Sequence, residues 1–133
     1  MTETYTPAIR ALVVAVLFLA TVTLVTVTFN VARAAGALAI GSCGAFGEAF
    51  DFTSVDEAGR SALAKCQGES CRVVTTARHG CAAFAVDFAN PCGPQGWGKG
   101  PRLGRSQNAA LEACYRDGGK ECVIRTFFCD AKG

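Results

Sequence analysis

The residues best equipped for chemistry in this chain are its eight cysteines, its one histidine and a glycine-rich stretch carrying the only tryptophan. All eight cysteines lie at or after Cys43. An even set in a short chain reads as a disulfide framework and implies an oxidising compartment. The rival chemistry is structural zinc, which favours cysteine pairs two to four residues apart with histidines or further pairs nearby. Here four residues separate Cys66 from Cys71, seven separate Cys114 from Cys122, and His79 has no companion. Zinc is therefore a poor fit, and no cofactor is implied. A Cys/His nucleophile would need a free thiol beside His79 and a third group orienting the ring. Gly41-Ser42-Cys43-Gly44 superficially resembles a reactive-cysteine turn, but an even set leaves no thiol over. His79 reads as a polar residue of the Arg78-His79-Gly80 turn.

Gly96-Trp97-Gly98-Lys99-Gly100 is not a phosphate loop, because its lysine precedes glycine rather than a hydroxyl residue. Its glycines suit close backbone approach or a bulge. Trp97 is either a core anchor or an exposed contact, since tryptophan is enriched at binding hot spots. Lys99, Arg102 and Arg105 form a modest basic patch beside it in sequence. Its default reading is a solvated loop, and contact with acidic protein or lipid is the sharper one. Asp51, Asp56 and Asp87 are scattered, and nothing pairs them as an acid and a base. The expectation is a protein that is not an enzyme.

These residues must be positioned by a block that occurs twice, a helix ending in Ala-Leu-x-x-Cys, a polar turn and a strand opening with cysteine. The copies are Ala62-Leu63-Ala64-Lys65-Cys66 with Cys71-Arg72-Val73-Val74, and Ala110-Leu111-Glu112-Ala113-Cys114 with Cys122-Val123-Ile124. Ahead of the first helix, an apolar run from Gly36 to Gly41 and an alternating run from Phe46 to Phe52 predict a hairpin. Ser54-Val-Asp-Glu57 is a capping box, in which the glutamate reaches back to the Ser54 amide. Gly68 is expected to stop that helix. Its apolar face is largely alanine, so it must lie close to its sheet. Cys81 to Phe88 alternates as a strand, the Trp97 stretch forms a glycine-rich hairpin arm, and a second helix runs from about Gly104 to Tyr115.

Matching Ala37-Leu-Ala-Ile with Ala83-Phe-Ala-Val gives two copies of strand, strand, helix, strand. The predicted fold class is α+β, a pseudo-twofold repeat in a disulfide-stapled domain. One antiparallel sheet is expected to carry both helices, behind an N-terminal hydrophobic helix. The repeat also aligns Cys43 with Cys92, Cys66 with Cys114, Cys71 with Cys122, and Cys81 with Cys129. Eight cysteines allow 105 connectivities. The scheme suggested by the repeat closes Cys66–Cys71 and Cys114–Cys122 locally, while Cys43–Cys92 and Cys81–Cys129 tie one half to the other.

From Ala11 to Ala32 the chain has no charge, with Arg10 before it and Ala32-Arg33-Ala34 after it. The run exceeds the roughly 7–15 residues of a signal core and approaches the roughly 20 that span a bilayer. Residues 1–35 are therefore a signal peptide or a single transmembrane anchor. Residues 36–133 form a cysteine-rich domain placed outside the cytoplasm, periplasmic or secreted. Net charge is +2, and losing Arg10, Arg33 and Glu3 with residues 1–34 leaves +1. That is no polyanion-binding charge, so nucleic acid is not an expected partner.

Gly36-Ala-Leu-Ala, the two Ala-Leu-x-x-Cys helices, Cys71-Arg-Val-Val, Cys81-Ala-Ala-Phe-Ala and Gly96-Trp-Gly-Lys-Gly resemble, in order and spacing, the uncharacterised bacterial family "domain of unknown function 4189". The resemblance covers residues 36–129. It implies a small exported α+β domain with disulfides and no established catalytic residues. Cys43 and Cys92 depart from the family pattern, and both extra cysteines occupy equivalent points of the repeat. Two functions follow from this reading. One is an exported, non-catalytic binding module that meets a protein partner through Trp97 or a sheet edge. The other is an accessory subunit of a larger membrane complex, with membrane contact through residues 11–32.

Overall fold

Two strands, β1 (Ala35–Ile40) and β4 (Cys81–Asp87), are buried along their whole length, and the rest of the fold covers them. The computed structural model describes residues 7–28 and 35–130. It divides the chain into two units, Met1–Ala32 and Arg33–Gly133. In the first unit α1 spans Pro7–Thr28, and its described side chains, Leu12, Leu17 and Phe18 among them, are exposed. Apolar residues surround this helix with no polar face to oppose them, so no stripe directs it onto a core. Among the described residues no helix is long and apolar enough to cross a membrane. The expected processing site at Ala32-x-Ala34 and the end of the 11–32 run lie outside the described residues.

In the second unit β1 is followed by a short turn at Ser42–Gly44 and by β2 (Phe46–Phe52), α2 (Val55–Lys65) and β3 (Arg72–Arg78). After β4 come β5 (Gln95–Gly100), α3 (Leu103–Arg116) and β6 (Cys122–Cys129). Both halves thus run strand, strand, helix, strand. The strands form two three-stranded antiparallel sheets, β2-β1-β3 and β5-β4-β6, rather than one. Each sheet belongs to one half and carries one helix.

Alternation of side chains across β1 and β4 explains the split. Leu38 and Ile40 on one sheet and Ala82, Phe84, Val86 and Phe128 on the other meet in a shared core. The intervening residues face outward onto helices. Ala37 and Ala39 lie under Ala58 and Ala62 of α2, while Ala83 and Ala85 lie under Ala110 and Cys114 of α3. A strand buried on both faces needs a cover on each, and here the covers are a helix and the other sheet. The result is a four-layer sandwich of helix, sheet, sheet and helix. At the junction His79 takes φ of +54°, and β4 opens the second sheet instead of pairing with β3.

Small residues set the helix-to-sheet spacing, as the alanine-rich face of α2 predicts. A Cβ on Gly47 would stand 2.0 Å from the Ala62 carbonyl oxygen, and one on Gly96 would stand 2.2 Å from the Cys114 amide nitrogen. Ser54 caps α2 by accepting from the Glu57 amide at 3.2 Å. The Glu57 carboxylate, expected on the Ser54 amide, instead accepts from the Thr53 hydroxyl at 2.7 Å. Gly68 does not end the helix through a left-handed conformation. The cap residue is Cys66, and Gly68 packs where a Cβ would lie 2.4 Å from that of Ala45.

All eight cysteines are paired. Cys66–Cys71 and Cys114–Cys122 close the two helix-to-strand turns, with Cα separations of 6.2 and 6.1 Å. Cys43–Cys92 joins the halves through the turns after β1 and β4. A bond between equivalent residues of a two-fold repeat must lie near the axis relating them. Cys81–Cys129 does not tie one half to the other, as the repeat scheme expects. Cys81 opens β4 and stands opposite Cys129 in the β4–β6 register, so this bond lies inside the second sheet. Its counterpart in the first sheet is the Ala35–Arg78 pair.

Candidate functional site

β5 places its residues alternately because it is pressed against α3. Gly96, Gly98 and Gly100 face the helix, where any Cβ would meet α3 atoms within 3 Å. Gln95, Trp97 and Lys99 consequently face the other way. Trp97 is the register partner of Phe84, the most deeply buried aromatic residue. It is nevertheless 39% exposed, because it sits on an edge strand. Trp97 is therefore a partly exposed edge-strand residue rather than a buried core anchor.

Trp97 lines a groove of about 710 Å³ at one end of the sandwich. Ile40, Ser42 and Arg72 reach it from the first half, and Gln95, Arg116 and Asp117 from the second. Arg72 opens β3 and Arg116 closes α3, so both guanidiniums are presented at element ends. Asp117 is engaged, since its Oδ2 accepts from the Gln95 amide at 3.2 Å. Gln95 Oε1 is buried and has no hydrogen-bond partner among the described residues. The groove therefore combines an indole, two cations and the engaged Asp117 carboxylate. That suits binding of a partly apolar, anionic group.

The basic residues expected beside Trp97 do not join it here. Lys99 lies further along β5 and lines a separate hollow of about 400 Å³ with Arg78 and His79. Arg102 is the α3 N-cap residue without a side-chain capping bond, and lines a cavity of about 200 Å³ with Asp130. Arg105 is exposed on α3, its Cβ near the Gly100 backbone. The cations that do line the groove, Arg72 and Arg116, are far apart in sequence. A comparison of the repeats carries one signal for them: β1 and β4 registers make Arg72 the counterpart of Val123, a charge in one copy where the other has an aliphatic residue.

Of the carboxylates, Asp87 is buried at the end of β4 and structural. It accepts from the Lys120 amide at 2.8 Å and the Ala89 amide at 3.0 Å. The Lys120 amide above all holds its pKa below the ordinary value, against the opposing effect of burial. Asp130 accepts from the His79 amide at 3.2 Å, fixing the turn between the sheets. Asp51 and Asp56 are exposed on the first half, and Asp51 takes φ of +62° where β2 slips by one residue against β1.

The fold and groove together define a class, a disulfide-stapled four-layer domain with a charged, tryptophan-lined groove between its halves. The chain belongs to the family described as Domain of unknown function (DUF4189), whose match covers residues 35–129. No curated protein matches it. No solved structure matches it either.

Proposed function

We propose that the protein is an exported, non-catalytic binding module that meets a protein partner through the Trp97 groove. The exposure of its only tryptophan in a groove also lined by Arg72 and Arg116 carries this reading, because tryptophan and arginine are enriched at interface hot spots. Four disulfides support export, since such bonds persist outside reducing compartments. Residues 1–35 act as the export segment. A second reading, an accessory subunit held at the membrane by residues 11–32, draws on the exposed apolar side chains of α1.

Intact mass of the protein from fractionated native cells, with and without reduction and alkylation, separates the two. A soluble species beginning near Ala35 with all cysteines oxidised is the expected result. A membrane-bound species retaining residues 1–34 would move the function to the anchored subunit.

A further inference from the structure

Resting on the reading of the Trp97 groove as the contact surface, we infer that its occupant is an extended acidic segment of the partner. That segment adds as a strand to the free edge of β5. β5 is an edge strand, paired only with β4. The Asp87 amide donates to the Pro94 carbonyl, which fixes the phase of the ladder. By alternation, Gly96, Gly98 and Gly100 bond to β4, whereas the N–H and C=O groups of Gln95, Trp97 and Lys99 point away from it. The Gln95 amide confirms that direction by donating outward to Asp117. Among the described residues the Trp97 backbone has no hydrogen-bond partner on that side.

An unpaired edge is the surface that strand addition uses: main-chain bonds hold the peptide, and pockets for alternate side chains select it. Both are present here. The Trp97 indole offers an apolar face to one side chain of the peptide. Arg72 and Arg116 supply the charge selection, two cations against the one carboxylate lining the groove, Asp117, whose Oδ2 accepts from the Gln95 amide. Lys99 and Pro101 blunt the far end of the edge, as charges and prolines do on guarded strands, and leave the Gln95 carbonyl and the Trp97 N–H and C=O as its open part. The glycine alternation presses β5 onto α3, so the edge is already formed before a peptide arrives.

The test screens the oxidised full-length chain in mild detergent against a library of end-blocked hexapeptides, with oligogalacturonate as an acidic saccharide control. Trp97, as the sole tryptophan, reports binding through its emission. The expected binders carry Asp or Glu, shift Trp97 emission to shorter wavelength, and lose binding when alternate peptide nitrogens are methylated. Arg72→Ala and Arg116→Ala should each weaken them about tenfold or more without changing the melting temperature. Binders indifferent to acidity or to N-methylation overturn the strand-addition inference. Oligogalacturonate shifting Trp97 emission where no peptide does would also overturn it, while leaving the groove as the contact surface. No shift with either probe contradicts the groove reading itself.

Discussion

The two halves share a backbone plan but not a surface. Where β1 and β4 set the registers, Leu38 lies opposite Glu48 and Phe84 lies opposite Trp97, so Glu48 and Trp97 are counterparts. Glu48 is half-buried and accepts from the Thr126 hydroxyl of the facing sheet. Trp97 is exposed in a groove. Likewise Arg72 stands where the second copy has Val123, and Arg125 bulges from β6 where Val74 bulges from β3. Arg125 lies over the Phe46 ring at 5.8 Å, part of a second groove of about 280 Å³ lined by Val86, Phe88 and Val123. The alanines, glycines and half-cystines that space helix from sheet recur between copies. Residues that diverge line the groove mouths, where one groups Trp97 with Arg72 and Arg116 and the other groups Phe88 and Arg125 with Val86 and Val123.

The bond joining the halves is where this comparison can be broken most severely. Cys43 and Cys92 are 49 residues apart, and the chain-entropy relation assigns a loop of that size about 4 kcal/mol. Replacing both with serine should lower the unfolding free energy by about that amount in urea titration. A negligible change would mean the sheets hold together without their crosslink. Equivalence of the two helix seats is tested next. Gly47→Ala and Gly96→Ala each push a methyl group into helix backbone and should each cost about 3 kcal/mol. Gly104→Ala, with open space around it, should be neutral or slightly stabilising. Unequal penalties at Gly47 and Gly96 would show that the copies pack differently. Smaller still is the local Cys66–Cys71 loop, at about 2 kcal/mol on the same relation.

Asp87 sharpens the comparison through pH, because Gly41 takes the corresponding place at the end of β1. Its carboxyl is more acidic in the folded protein than in the unfolded chain. Its stabilising contribution is therefore fully present above the ordinary carboxylate pKa and is lost as pH falls through its lowered folded value. Asp87→Asn should flatten the decline of the urea midpoint as pH falls below the ordinary carboxylate pKa. An unchanged slope would assign acid sensitivity to other carboxyls.

Much of the scaffold was legible in the residues. Hydrophobic alternation located the strands, Ser54 marked the start of α2, and the Ala-Leu-x-x-Cys blocks located the local staples. The division into two sheets was not legible. Leu38 and Phe84 announce buried strands, but alternation does not say whether a second sheet or solvent lies across from them. Cys81 illustrates the consequence, since counting it as the end of the first half gives it the wrong partner half. The groove escaped for a different reason. Ile40, Arg72, Trp97 and Arg116 come from four segments, and only tertiary packing brings them together. Trp97 alone carried a local signal, through the flanking glycines.

Thermal melting and chemical unfolding of Trp97→Ala beside Phe84→Ala tests the central claim most directly, because the two residues are register partners with opposite assigned roles. Phe84 is fully buried, and its truncation should cost about 3–5 kcal/mol. Trp97→Ala should unfold within about 1 kcal/mol of the unmodified protein while losing binding to its partner. A Trp97→Ala protein as unstable as Phe84→Ala would make the indole part of the core and contradict the assignment of this groove as the binding surface.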